Sequence, residues 1–178
     1  IERGDCDCAL VIGVNHIEDD ATVMLTNGNF LSKTGHCHTF DEAADGYARS
    51  EGALAFLLSK DNEKYARIVE IATNQDGASI NLHAPNPDAQ EELLRKVVGN
   101  DTISLVEAHG TGTVLGDPIE IETIRKVIPY KCRISSAKSQ FGHMESAAGM
   151  IGLFRSLMCA LQNYYPENVY LKKKNTKI

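Results

Sequence analysis

Twice in this chain an apolar run leads through a glycine-rich segment carrying one histidine into a helix-like pattern. That repeated order constrains the fold more than any other feature. His109 stands in Val106-Glu107-Ala108-His109-Gly110-Thr111-Gly112-Thr113, ahead of Gly116-Asp117-Pro118. His143 stands in Lys138-Ser139-Gln140-Phe141-Gly142-His143-Met144-Glu145, ahead of Ala147-Ala148-Gly149. A strand that ends in a tight turn before a helix sets the turn's side chains at a sheet edge, where α/β proteins gather their chemistry. Two neutral imidazoles brought into one apolar crevice can both donate hydrogen bonds to a developing oxyanion.

Short apolar runs bounded by turn residues predict strands over 9–14, 53–58, 67–72, 103–107 and 133–137. Helical signals alternate with the later ones. Asn86-Pro87 opens a helix with Pro87 at its first position, Leu93, Leu94, Val97 and Val98 on one face, and Gly99-Asn100 closing it. Asp117-Pro118-Ile119-Glu120 reads as an N-cap, a proline at N1 and a capping-box glutamate. Ile121, Ile124 and Ile128 then mark a buried side, and Pro129 stops the helix. A third helix begins near Met144 and carries Ala147, Ala148, Ile151, Phe154, Leu157, Met158 and Leu161 at helical spacing, which predicts a buried, central element. The alternation predicts an α/β fold around a layered sheet, in one domain.

At 178 residues and 43% hydrophobic, the chain can bury one sizeable core. A net charge of −6, with no basic run longer than Lys172-Lys173-Lys174, argues against nucleic-acid binding. No stretch reaches the roughly 18 apolar residues of a membrane helix, and the first residues show no signal-peptide pattern. Five cysteines without paired spacing fit a reducing cytosol, so a cytoplasmic location is expected. His36-Cys37-His38 holds zinc-type side chains, but so tight a string does not bring all three to one ion, and no metal site is expected. His16 and His83 fall in predicted loops and are expected to be solvated. A reactive thiolate wants a helix N-terminus or a neighbouring cation. Cys37, between two histidines, comes nearest, yet none of the five cysteines has a strand-to-helix elbow, and no nucleophile is expected among them.

The two histidine segments resemble the motif regions of β-ketoacyl synthases, the condensing enzymes of fatty-acid and polyketide synthesis. His109-Gly110-Thr111-Gly112-Thr113 with Gly116-Asp117-Pro118-Ile119-Glu120 is similar to the first histidine motif of modular polyketide synthases. Lys138-Ser139 through Gly142-His143, then Glu145 and Ala147-Ala148-Gly149, is similar to the second. Further matches are Gly4-Asp5-Cys6-Asp7 leading to 9–15, Phe40-Asp41 with 43–47, Glu51-Gly52-Ala53, and Asn74-Gln75-Asp76-Gly77. Similarity runs from about Gly4 to about Pro166. Ser50 departs from the pattern, since modular synthases usually have glycine there.

The resemblance implies a thiolase-like layered α-β-α-β-α sandwich, mainly its second half. Residues 1–40 or so would end the N-terminal half, and about 41–178 would form most of the C-terminal half. It implies decarboxylative condensation of an acyl thioester with a malonyl-type extender on an acyl carrier protein, in a homodimer. His109 and His143 would steady the enolate, and Asp117 would fix the helix after the first loop. Lys138 and Glu145 would form a supporting buried pair; a proton-transfer role for Lys138 stays open. The Thr111 and Thr113 hydroxyls would bind the carrier's phosphopantetheine arm or would serve loop backbone groups; no other cofactor is implied. The family's nucleophile is a cysteine in an Asp-Thr-Ala-Cys-Ser type turn, which this chain does not contain. The sequence is therefore expected to be a partial ketosynthase domain, without the nucleophile region and the family's C-terminal motif. The other expectation is a non-catalytic ketosynthase-like module for dimerisation or carrier docking.

Overall fold

The computed structural model describes residues 1, 3–60, 64–77 and 84–178. Strands β1 (Cys8–Asn15) and β2 (Gly52–Ser59) pair antiparallel, Cys8 opposite Ser59 and Asn15 opposite Gly52. Helix α1 (Asp19–Asn27) follows β1, and α2 (Pro87–Val98) precedes β3 (Leu105–Glu107). Helix α3 (Gly116–Val127) then crosses to β4 (Arg133–Ser135), which lies parallel to β3 with Glu107 opposite Ser135. Parallel strands need such a crossover. A short helix α4 (Lys138–Phe141), a 3-10 turn over Glu145–Ala147 and the long α5 (Ala148–Gln162) complete the order.

Local chemistry explains α2 fully. The Asn86 side chain accepts from the N–H groups of Asp88 at 3.0 Å and Ala89 at 3.3 Å, and Pro87 fills N1. Gly99 ends the helix at φ 52°, its N–H donating to Arg95 C=O at 3.1 Å. Phe40, Val98, Ala108, Ile121, Ile124 and Ile128 form one buried cluster, with Val106 and Ile134 of the parallel pair packed against it. Ile121, Ile124 and Ile128 share one helical face. Ile124 is 2% exposed, so Ile124→Ala is expected to cost about 2–5 kcal/mol in denaturant unfolding of the complete domain. A loss below about 1 kcal/mol would place it outside the core. A second cluster joins Ala137, Met144, Ala147 and Ile151 to Leu54 of β2. The sheet comes close here because a Cβ on Gly13 would lie 2.7 Å from Met150 Cγ, and one on Gly52 2.7 Å from Met144 Sδ.

Three expectations need correction, and one helix had no expectation. The run 67–72 enters no strand pairing among the described residues, and Ile68, Val69 and Ile71 are exposed. A strand persists only where a neighbour satisfies its backbone, and no described strand pairs with this one. β4 stops at Ser135 because side chains take over its ladder: the Ser136 N–H donates to Asn168 Oδ1 at 3.1 Å, and the Ala137 N–H donates to the Glu107 carboxylate. α5 is not buried all round. Its buried stripe is Ile151, Arg155 and Cys159, while Leu153, Phe154 and Leu161 stand exposed, since the described residues cover one side only. α1 carries no buried residue and so offered no apolar stripe to read.

Candidate active site

The loop after β3 turns on Gly110 and Gly112, at φ 48° and 79°. A Cβ on Gly110 would lie 2.6 Å from Ser136 Cβ, and one on Gly112 2.8 Å from the His38 nitrogen. Two carboxylates at the start of α3 gather the loop's donors. Glu120 accepts from the N–H of His109 at 2.6 Å and of Gly110 at 2.8 Å. Asp117, 1% exposed, accepts from the N–H of Phe40 at 2.8 Å, Gly112 at 3.1 Å and Thr113 at 3.2 Å. The Thr39 hydroxyl donates to Gly110 C=O at 2.6 Å. The capping box expected at Asp117 and Glu120 is therefore absent. α3 begins at Gly116 with Leu115 as its N-cap and no side-chain cap, and Pro118 falls third in the helix. Both carboxylates serve the loop instead, where a buried N–H left without an acceptor costs about 1–3 kcal/mol.

The second histidine is held by the chain around Arg49. His143 N–H donates to Ala48 C=O at 2.7 Å, and Ser50 N–H donates to His143 C=O at 3.0 Å. Glu145 adopts φ 38° and directs its N–H onto His143 Nδ1 at 2.9 Å. Nδ1 is thus the acceptor, and the ring's proton belongs on Nε2. The His109 and His143 rings stand 5.4 Å apart, edge to face at 85°, with the Tyr47 ring 5.0 Å from His143.

Lys138 and Glu145 do not pair. Glu145 forms a two-pronged contact with Arg49, at 2.8 Å to Nε and 2.9 Å to Nη2. Arg49 Nη1 continues to the Thr22 hydroxyl at 2.7 Å. The planar guanidinium matches both carboxylate oxygens, which an ammonium cannot do. Lys138 lies buried, with no direct ion pair among the described residues. Burial pulls its pKa down, while Glu120, Glu107 and Asp117 act in the opposite sense.

His109 is exposed at the surface, yet the protein around it shields its ring from part of the solvent. That desolvation, the Lys138 ammonium and His143 push its pKa down to about 4. Desolvation and then Lys138 bring His143 to about 4 as well, against a smaller upward pull from Glu145. Both rings are neutral at pH 7. From 6.5 down to about 4 the unfolded chain binds more protons at these sites than the folded one. Stability is complete above that window and falls as the pH drops through it. Urea unfolding at each pH is expected to show a shallower loss for His143→Gln than for wild type. Equal slopes would mean that the ring titrates normally.

The Thr111 hydroxyl donates to Thr113 Oγ1 at 3.3 Å, and Gly116 N–H donates to the same oxygen at 3.2 Å. Both threonines thus brace the loop. Cys37 is buried and accepts from Ala48 N–H at 3.2 Å, and burial raises its thiol pKa, which suits a structural thiol rather than a nucleophile. His36 stacks on Tyr170 at 4.2 Å and His38 meets the same ring at 5.7 Å, with its Nε2 2.7 Å from the Thr34 hydroxyl, while Cys37 between them is buried away from both. Among the described residues no cluster of three or more His, Cys, Asp or Glu is placed to hold a metal. His16 is exposed, with Nδ1 2.5 Å from Glu51 Oε1; His83 lies outside the described residues. Sequence reasoning missed Arg49, Tyr47, Glu107 and Arg155. The signal for the last two was a charge inside an otherwise apolar strand or helix stripe.

Residues 1–64 match the family model described as Beta-ketoacyl synthase, N-terminal domain, and residues 65–172 that described as Beta-ketoacyl synthase, C-terminal domain. The chain belongs to the β-ketoacyl synthase family. It is 37% identical to the Mycocerosic acid synthase-like polyketide synthase of Mycolicibacterium smegmatis, over 97% of the chain and 9% of that protein. It is 39% identical to Polyketide synthase PksL of Bacillus subtilis, over 89% of the chain and 4% of that protein. The ketosynthase from module 6 of the bacillaene synthase of Bacillus subtilis 168 superposes with a TM-score of 0.93 at 31% identity, over 99% of this chain and 35% of that one. The oxazolomycin ketosynthase domain OzmH KS7 of Streptomyces albus gives a TM-score of 0.93 at 33% identity, over 99% and 34%. The fold is the thiolase-like α/β fold of ketosynthases, and the chain spans about a third of those solved structures. Among the described residues no helix is long and apolar enough to cross a membrane.

Proposed function

We propose that this chain is the oxyanion-stabilising part of a polyketide-type ketosynthase that joins an acyl thioester to a carrier-bound malonyl extender. The malonyl carboxylate leaves as carbon dioxide, and the electron pair of the broken bond enters an enolate whose charge rests on the thioester oxygen. His109 and His143 donate to that oxygen as neutral imidazoles. The enolate carbon then attacks the acyl thioester, formed by the family's rule on a cysteine of the complete domain, and that thiolate departs. Pre-aimed donors of this kind contribute about 3–4 kcal/mol each.

The Glu145 N–H on His143 Nδ1 is the observation that carries the reading, because it commits Nε2 to donation. Asp117 and Glu120 hold the first loop, Arg49 and Glu145 hold the second, and Lys138 supplies the field between them. Thr111 and Thr113 flank the approach for a phosphopantetheine arm: Thr113 is an acceptor within the loop, and its own O–H has no described acceptor. The partner is an acyl carrier protein, and the working state a cytoplasmic homodimer with no cofactor of its own.

The test supplies the full-length protein with acyl donor and malonyl-loaded carrier, and follows both carbon dioxide release and the β-ketoacyl product. Both are expected. Carrier binding with neither product would replace this reading with a non-catalytic docking module.

A further inference from the structure

The inward face of α5 is interrupted by a charge. Arg155, 5% exposed, sits between Ile151 and Cys159 on the helix's buried stripe. A guanidinium is costly to bury unless its donors are matched. Nη1 donates to Glu107 Oε2 at 2.6 Å and to Ser135 Oγ at 2.7 Å. Nε donates to Gln140 Oε1 at 3.0 Å, and Nη2 to Pro166 C=O at 2.8 Å. One side chain thereby ties the last residues of β3 and β4 to α4 and to the segment after α5. The other oxygen of Glu107 accepts from Ala137 N–H. His109 lies two residues beyond Glu107, and Lys138 directly follows Ala137. Between them, the Ser136 hydroxyl donates to His109 C=O at 3.1 Å and accepts from Lys138 N–H at 3.3 Å. Gly152 lets the helix come this near, since a Cβ there would lie 3.2 Å from Glu107 Cγ.

We propose that the buried Arg155–Glu107 pair is a positioning element of the reaction, fixing His109 and Lys138 in one register across the ends of β3 and β4. The proposal rests on the function given above. Neither residue touches substrate; both act through the loops that do. Well-packed apolar residues could fill the same space at equal or better stability. Apolar packing sets no angles, whereas four directed donors fix where each strand end stops.

The experiment uses the full-length enzyme with Arg155→Met, Arg155→Lys and Glu107→Gln. It records kcat and KM for malonyl-thioester decarboxylation per folded molecule, together with hydrogen exchange of peptides over 106–112, 134–142 and 87–98. Misplacing a catalytic group by about 1 Å can cost a hundredfold, so kcat is expected to fall about 10- to 100-fold in Arg155→Met and Glu107→Gln, with KM within about threefold. Arg155→Lys keeps the charge without the fork and falls between. Exchange should quicken over 106–112 and 134–142, with 87–98 unchanged. An unchanged kcat per folded molecule in Arg155→Met would overturn the proposal. Should the wild type itself release no carbon dioxide, the functional reading fails, and exchange alone decides the positioning role: equal protection over the two loop peptides overturns it.

Discussion

His143→Ala in the full-length enzyme is expected to slow malonyl-thioester decarboxylation by about 10²–10³-fold, and His109→Ala by a similar factor. Under the proposed role each substitution removes one of two donors whose rings stand 5.4 Å apart, His109 at the surface and His143 half-buried. A donor there exceeds its worth in water because it needs no reorganisation as charge develops. Both rings sit at a pKa of about 4 and so are neutral at pH 7, and the Glu145 N–H on Nδ1 leaves the His143 proton on Nε2. The two losses should not multiply in the double variant, because groups that act as a unit are not additive. His143→Ala also deprives the Glu145 N–H of its acceptor, so rates must be taken per folded molecule. A loss below about threefold for both single variants would remove the oxyanion role, since it is far less than one lost donor costs.

Asp117→Ala is expected to destabilise the complete domain by about 3–5 kcal/mol in denaturant unfolding, because two buried N–H groups and one part-buried N–H lose their acceptor at about 1–3 kcal/mol each before the loop relaxes. The donors belong to Phe40, Gly112 and Thr113, so the loss removes the carboxylate that bridges the His109 loop and the turn at Phe40, leaving the Thr39 hydroxyl on Gly110 C=O between them. Phe40 itself stands at φ 62°, a conformation that needs such support. Asp117→Asn should cost less but more than a surface change, since an amide keeps one acceptor oxygen and points N–H groups at N–H groups. A change within about 0.5 kcal/mol for the alanine variant, as surface sites give, would mean that the carboxylate is not the staple.

Much of this was legible from residues alone. Asn86, Pro87 and Gly99 announced α2 because capping is local chemistry, satisfied within a turn. The histidine loops were legible as loops because Gly110 and Gly112 take left-handed conformations that other residues avoid. Pairings across the fold were not. Lys138 and Glu145 stand close in sequence, yet Glu145 chose Arg49 from another part of the chain, where the fork matched. Asp117 and Glu120 carried a helix-start signature and spent their oxygens on the neighbouring loop. Arg155 falls on the same periodic face as Ile151, and periodicity weighs apolar residues without seeing that Glu107 awaits a partner. The strand expected over 67–72 had the composition of a strand but no described neighbour to pair with, and pairing is a property of two segments.

His109 and His143 are proposed to polarise one thioester oxygen together. The most direct measurement is the isotope-edited infrared band of the thioester carbonyl in a non-decarboxylating malonyl-thioester analogue bound to the full-length enzyme. Two neutral donors predict a band at lower frequency than in water, moving part of the way back in His109→Ala or His143→Ala and fully back in the double variant. A band at the same frequency in the wild type and the double variant, with the analogue bound in both, would contradict the account.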